Sequence, residues 1–218
     1  FCNFSATRPW MLAAIIIVPR GREHSAEPGD DSSAIDAGNV TINRLNWFGQ
    51  TPLDGALLAG LEPTTGLVDR PGPVGLGRPG GTAMIFQHPD SQVLGRTVAE
   101  DLRWGSSEDV DVDALLARVG LDGLADRATE DLSGGQLQRL ALAAAWARRP
   151  ALLIADEITA MVDSDSRAGL IGLLASLARE GTAVVLVTHL DDEAAAADRV
   201  VHLDGGRIVP RPETPPRP

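Results

Sequence analysis

The chain's 218 residues allow one large domain or a core with a subdomain, and a hydrophobic content of 44% is enough for a real core. A net charge of −11 argues against nucleic acid as the main partner. A single cysteine, Cys2, excludes an intrachain disulfide framework and fits a reducing compartment. All 19 basic residues are arginine, and lysine is absent.

In chain order, Met11 to Val18 (MLAAIIIV) is a long apolar run, too short to span a bilayer. Pro19-Arg20-Gly21-Arg22 lacks the small-residue cleavage site of a signal peptide, so an edge or early strand is expected here. Because the chain opens on Phe1, a missing N-terminal segment is also expected. Gly21 to Asp36 is polar and rich in Gly, Pro, Ser and Asp, as loops are. Thr82 to Phe86 reads as a short strand ending in Gln87. His88 reads as a surface residue, since no His or Cys lies at metal-ligand spacing from it. From Val98 to Asp131 the pattern turns helical. Val112, Leu115, Leu116 and Val119 share one helix face, and Leu121 and Leu124 follow a glycine turn.

The stretch from Asp131 to Glu157, DLSGGQLQRLALAAAWARRPALLIADE, is the most informative. Ser133 is a good N-cap, and Gly134 and Gly135 leave backbone N–H groups bare at the positive end of the helix that follows. Such a turn is an anion site, and a phosphate fits it. The helix is expected from about Gln136 to Arg148, with Leu137, Leu140, Ala141 and Ala144 buried, and Pro150 ends it. Ala151 to Ala155 is a continuous apolar run, as in a buried parallel strand. It delivers Asp156 and Glu157 at its C-terminal end, where open α/β sheets place their chemistry. Further on, Ser164 is expected to cap a helix to about Glu180, with Leu170, Leu173, Leu174 and Leu177 on its core face. Ala183 to Val187 is a second buried strand, delivering Thr188 and His189. A short helix at Asp191 to Asp198 precedes a hairpin over 199–209 with an Asp-Gly-Gly turn, and the tail from Pro210 is Pro-rich.

Leu132-Ser133-Gly134-Gly135-Gln136 followed by Leu152-Leu153-Ile154-Ala155-Asp156-Glu157 resembles the signature motif and Walker B strand of the ATP-binding cassette (ABC) ATPases. Gln87-His88-Pro89-Asp90-Ser91-Gln92 resembles their Q-loop, in wording most like the ATPases of energy-coupling-factor importers of vitamins, cobalt or nickel. VVLVTHL, ending near His189, is similar to the family's switch-histidine strand, and Asp163 to the aspartate of its D-loop. The resemblance implies an α/β fold: a RecA-like P-loop NTPase core with a helical subdomain and N-terminal antiparallel β strands. Residues 8–209 would form one cassette, with the core at 8–87 and 141–209 and the helical subdomain at 88–140. Residues 1–7 and 210–218 would be tails. It implies ATP and Mg²⁺ as ligands. Asp156 would support Mg²⁺ through water, Gln87 would reach Mg²⁺ or water, Glu157 would serve as general base, and His189 would contact the γ-phosphate. Ser133, Gly134, Gly135 and Gln136 would act in trans, on the nucleotide of a partner cassette.

Ala37 to Thr41 and Leu57 to Gly66 resemble the segments on either side of the family's phosphate loop. In register with G-x-x-x-x-G-K-[ST], the chain offers Leu45-Asn46-Trp47-Phe48-Gly49-Gln50-Thr51-Pro52. Leu45 and Gln50 replace both glycines, Thr51 replaces the lysine, and Pro52 replaces the Mg²⁺-binding hydroxyl. The cradle needs glycines so that N–H groups can approach phosphate, and Trp47 and Phe48 crowd that space. One lost charged hydrogen bond costs about 1.5–3 kcal/mol, roughly 10–100-fold in affinity.

The reading that follows is an ATPase subunit of an importer of the energy-coupling-factor type. Its own site is damaged, and its signature motif serves a second cassette, which makes a heterodimer. It would sit at the cytoplasmic face of the membrane through a transmembrane partner, with no role for nucleic acid. A catalytically inactive scaffold or regulator of a transporter, and a decayed or truncated cassette, are the alternatives.

Overall fold

The computed structural model describes strand backbone at 12–17, 34–36 and 41–43, and residues 80–209 other than 105, 107–109, 161, 205 and 206. The expectations for 45–52, for the segments around that loop and for the tails lie outside the described residues.

The framework is a sheet of six strands. Strands β1 (Leu12–Ile17), β4 (Thr82–Ile85), β5 (Leu152–Asp156), β6 (Ala183–Thr188), β7 (Arg199–Asp204) and β8 (Arg207–Val209) lie in the order β4-β5-β6-β1-β7-β8. The β4–β5 and β5–β6 pairs are parallel, and the remaining pairs are antiparallel. A separate antiparallel pair joins β2 (Ala34–Asp36) to β3 (Thr41–Asn43). β5 and β6 do not alternate in polarity because both faces are covered. Leu153, Ala155, Val184 and Leu186 point to one side, Leu152, Ile154, Val185 and Val187 to the other, and all are buried.

The apolar run forms the early strand expected of it, β1, but not an edge strand. β1 lies inside the sheet, hydrogen-bonded to β6 on one side and β7 on the other. An unbroken apolar run suits a strand with neighbours on both sides, whereas an edge strand is commonly blunted by charge or proline. The expected hairpin is present, with Asp204 opposite Arg207.

Two apolar clusters organise the helices. One contains β4, β5 and β6 side chains with Leu142, Ala145 and Trp146 of α3 (Gly134–Ala147) and Leu170, Leu174 and Leu177 of α4 (Ser164–Arg179). The other gathers Val98 and Leu102 of α1 (Val98–Arg103), Val112, Leu116 and Val119 of α2 (Val112–Val119), Leu121, Leu132, and Leu140 and Ala143 of α3. α3 therefore serves both clusters, and its buried set differs from the one expected. Leu140 is buried as predicted, but Leu137, Ala141 and Ala144 are only partly so, while Gln138, Leu142, Ala143, Ala145 and Trp146 are buried. The helix is apolar around most of its circumference, so no single stripe could be picked from its sequence.

Local chemistry sets the helix ends. α1 opens with a capping box between Thr97 and Glu100. α2 ends at Gly120, whose φ of 70° is the left-handed value glycine supplies at a helix stop. α4 is capped one residue earlier than predicted: the Ser166 N–H donates to Asp163 Oδ1 at 2.9 Å, so Asp163 and not Ser164 is the cap. α5 spans only Asp191–Ala194, shorter than the predicted 191–198.

One glycine is required by close approach. The buried Asp101 Oδ1 accepts from the N–H groups of Leu94, at 2.7 Å, and Gly95, at 3.0 Å, which draws this loop onto the start of α1. A Cβ on Gly95 would overlap the Asp101 backbone. Gly95→Ala is expected to lower the unfolding free energy by about 1–3 kcal/mol, read from a denaturant midpoint at unchanged m-value.

Candidate functional site

The parallel strands deliver four predicted residues to one end of the sheet. Asp156 closes β5, opposite Val187 of β6, and is not without an interaction partner. Glu157 follows with φ 45°, a left-handed conformation that is uncommon for a side chain of this kind. Two hydrogen bonds hold it: its N–H donates to the Val187 carbonyl at 2.9 Å, and its carbonyl accepts from Ala160 at 3.0 Å. His189 follows β6. There the Leu190 N–H donates to Thr188 Oγ1 at 3.1 Å, which tightens the exit from the strand. The outcome is a His189 Nδ1 to Glu157 Oε1 distance of 3.6 Å, with the side chains 43% and 25% exposed. Both side chains are partly open to solvent.

Gln87 lies just past β4, beyond the pairing of Ile85 with Ala155. Two further glutamines brace this strand exit, one bonding the end of β4 and the other Gln87 itself. Gln92 turns its amide back on β4, accepting from the Phe86 N–H at 2.7 Å and donating to the Met84 carbonyl at 2.9 Å. Gln138, buried on α3, donates from Nε2 to the Gln87 carbonyl at 3.1 Å. A glutamine on a helix is ordinarily solvated, so its type gave no signal of this contact.

The signature residues form a second group. Ser133 Oγ accepts from the Gln136 N–H at 3.3 Å, and Gln136 Oε1 accepts from the Ser133 N–H at 2.9 Å, a reciprocal capping box on α3. α3 thus starts at Gly134, two residues before the expected start. The amides of Gly134 and Gly135 fall in the first turn, where no intrahelical acceptor exists. A Cβ on Gly134 would meet nothing within 4 Å, and one on Gly135 would make only ordinary contacts, Val162 Cγ1 at 3.8 Å and Ser166 Oγ at 4.0 Å. Neither glycine is therefore required by the packing or by the backbone conformation of this chain. Both leave the approach to the helix N-terminus open.

Asp163 stands beside this turn, its Oδ2 accepting from Ser166 Oγ at 2.8 Å. No hydrogen bond or ion pair among the described residues joins Ser133–Gln136 to Glu157 or His189. Gly49, Gln50, Thr51 and Pro52 lie outside the described residues. Among the described residues no group of three or more His, Cys, Asp and Glu side chains could hold a metal ion. No helix among them is long and apolar enough to cross a membrane.

A family model described as ABC transporter matches residues 55–160. An uncharacterized ABC transporter ATP-binding protein of Mycobacterium tuberculosis is 56% identical over 168 residues, which is 76% of this chain and 24% of that protein. An energy-coupling factor transporter ATP-binding protein of Levilactobacillus brevis is 42% identical over 58% of this chain and 48% of its own length. The chain thus spans between a quarter and half of the length of these relatives. Among solved structures, cbiO1 from Clostridium perfringens, described as part of the ABC transporter complex cbiONQ, superposes with a TM-score of 0.54 at 29% identity. That match covers 59% of this chain and 55% of the other. A dimeric ATP-binding cassette in a post-hydrolysis state, bound to ADP and Pi, gives a TM-score of 0.51 at 27% identity, covering 59% of this chain and 60% of that one. An energy-coupling factor transporter ATP-binding protein of Symbiobacterium thermophilum is 34% identical over 93% of this chain and 78% of its own length. With 78% of that relative covered, and with LSGGQ capping α3 and Asp-Glu closing β5, the chain belongs to the ABC transporter ATP-binding proteins.

Proposed function

We propose that the chain is the ATP-binding subunit of an energy-coupling-factor type importer and works in a heterodimer of two cassettes, with its own nucleotide site impaired. Its Ser133-Gly134-Gly135-Gln136 turn serves the partner's ATP. One observation carries this reading: a capped helix N-terminus bears two glycines that the chain's own packing does not require. The loop expected to hold this chain's own nucleotide has neither its glycines nor its lysine. The family match begins at residue 55, past that loop, which is in keeping with its divergence. We further propose a RecA-like core at 8–87 and 141–209 and a helical subdomain at 88–140, a division supported by the two apolar clusters that meet at α3. The chain would reach the cytoplasmic face of the membrane through a transmembrane subunit.

The residues at the sheet end fit the Mg²⁺ side of a nucleotide site. Asp156 and Glu157 offer hard oxygen donors, and the described residues hold no complete metal cage, so Mg²⁺ there would draw its remaining ligands from phosphate and water. When bound, Mg²⁺ would neutralise charge on the phosphate oxygens. Asp156 would hold its position. If this chain's own site took up nucleotide despite its loop, Glu157 would orient and deprotonate a water, and His189, 3.6 Å from that carboxylate, would donate toward the γ-phosphate. The Gly134 and Gly135 N–H groups, carrying the helix dipole, would stabilise charge on a partner's γ-phosphate. A non-hydrolysing scaffold is the second reading, favoured by the complete absence of lysine. Turnover by the reconstituted complex decides between the two.

The isolated chain is expected to bind Mg-ATP at least about 100-fold more weakly than an intact cassette, since several charged contacts are lost together. Titration calorimetry giving a low-micromolar Kd would contradict this. Thr51→Lys with Pro52→Ser is expected to rescue little, because Trp47 and Phe48 remain.

The asymmetry itself is open to mutation. In the assembled complex, Ser133→Arg and Gly135→Asp are expected to cut ATP hydrolysis by about 10²-fold or more, the scale of losing oriented donors. Glu157→Gln and His189→Ala are expected to change the rate by no more than a few-fold. A dead Glu157→Gln complex would mean that this chain's own site turns over.

Gly134→Ala serves as a fold control. Where φ permits alanine, the substitution restricts the unfolded chain, so stability is expected to hold or rise by about 0.4–1 kcal/mol in thermal melts. Any accompanying loss of hydrolysis then reports on ligand approach rather than folding.

A further inference from the structure

We propose that the pair formed by buried Glu193 and Arg167, whose side chain is 33% exposed, is a positioning brace that holds the His189 segment against the start of α4, and so keeps His189 beside Glu157.

Glu193 is 2% exposed, and among the described residues neither of its carboxylate oxygens has a hydrogen-bond partner. Among the described residues, the cation paired with it is Arg167, with Nε 3.6 Å from Oε1, and that Nε has no hydrogen-bond partner among them either. A carboxylate buried in this way costs free energy that an ion pair at this distance repays poorly. A pair of this kind is weak evidence for stability, and it fits better a need for one particular arrangement of the elements it joins.

Those elements are the two that flank the site. Arg167 stands in the first turn of α4, its N–H donating to the Asp163 carbonyl at 2.9 Å. Glu193 stands on α5, which begins two residues after His189. α5 is a single turn, held by Ala194 N–H to Leu190 O at 3.1 Å and Ala195 N–H to Asp191 O at 2.9 Å. One turn does not sustain itself in water, so its placement depends on tertiary contacts. Ala194 in the core and Glu193 on Arg167 are the buried contacts that α5 offers. Apolar Ala194 can slide along the core, whereas an ion pair fixes both a direction and a distance. Neither Arg167 nor Glu193 touches the Glu157–His189 pair directly, so both act through the segment that carries His189.

The test uses the full chain with Glu193→Gln and, separately, Glu193→Leu combined with Arg167→Met, since two apolar side chains can replace a buried pair without loss of fold. Peptide-resolved hydrogen exchange is expected to be faster by about tenfold or more across 189–195 in both variants, with β5 and β6 unchanged. The His189 ring resonances should shift in proton NMR spectra, while those of the exposed His88 hold. Unaltered exchange at 189–195, or an acceleration spread equally over β5, β6 and 189–195, would overturn the proposal. If Glu193→Gln does not fold, the apolar double variant alone decides by the same two outcomes.

Discussion

The register between β5 and β6 is the constraint on which the site depends. Leu152 pairs with Ala183, and the ladder runs on to Asp156 opposite Val187. That alignment puts Glu157 and His189 just beyond the same sheet end, and the bond from Glu157 N–H to Val187 O fixes the carboxylate in its left-handed turn. A slip of one residue would send every side chain of β5 to the opposite face and carry Glu157 away from His189. The register resists such a slip because both faces of both strands are buried, so a slip would expose or overpack an entire row of side chains. The chemistry at the edge is thus fixed by apolar packing in the interior.

α3 carries this order across the molecule. Its N-terminus presents the signature turn, its middle packs on both apolar clusters, and Gln138 bonds to the Gln87 carbonyl. One rigid helix therefore joins the Ser133–Gln136 turn to the loop that follows β4. Arg139 strengthens the link to α2, its Nη1 donating to the Val119 carbonyl at 2.8 Å near the end of that helix. A rotation of α3 would change both surfaces together.

The same fold explains how a cassette could keep one function and lose another. The signature turn depends on a cap, two glycines and a helix dipole, all local to α3. A phosphate loop needs a different set of glycines and a lysine, and this chain has no lysine. The turn's cap is closed by Ser133 and Gln136 on each other, so its own geometry calls for no lysine and no glycine outside α3.

The sequence by itself determined those features whose physics is local. Ser133 as a cap, glycines at a helix N-terminus, unbroken apolar runs at 151–155 and 183–187, and the acidic or imidazole residues ending them are all set by neighbours within a turn or a strand length. The losses at 45–52 are also sequence facts, because a missing lysine needs no fold to be seen. Tertiary structure alone decided what depends on partners distant in the chain. β1 became an inner strand because β6 and β7 both pair with it. The buried set of α3 came from two clusters assembled by residues far apart in the chain. Gln138 and Glu193, polar types that are usually solvated, were buried because their partners lie 51 residues away in one case and on a neighbouring helix in the other. Periodicity reports which faces are apolar; it carries no information about which distant polar group a buried amide or carboxylate will meet.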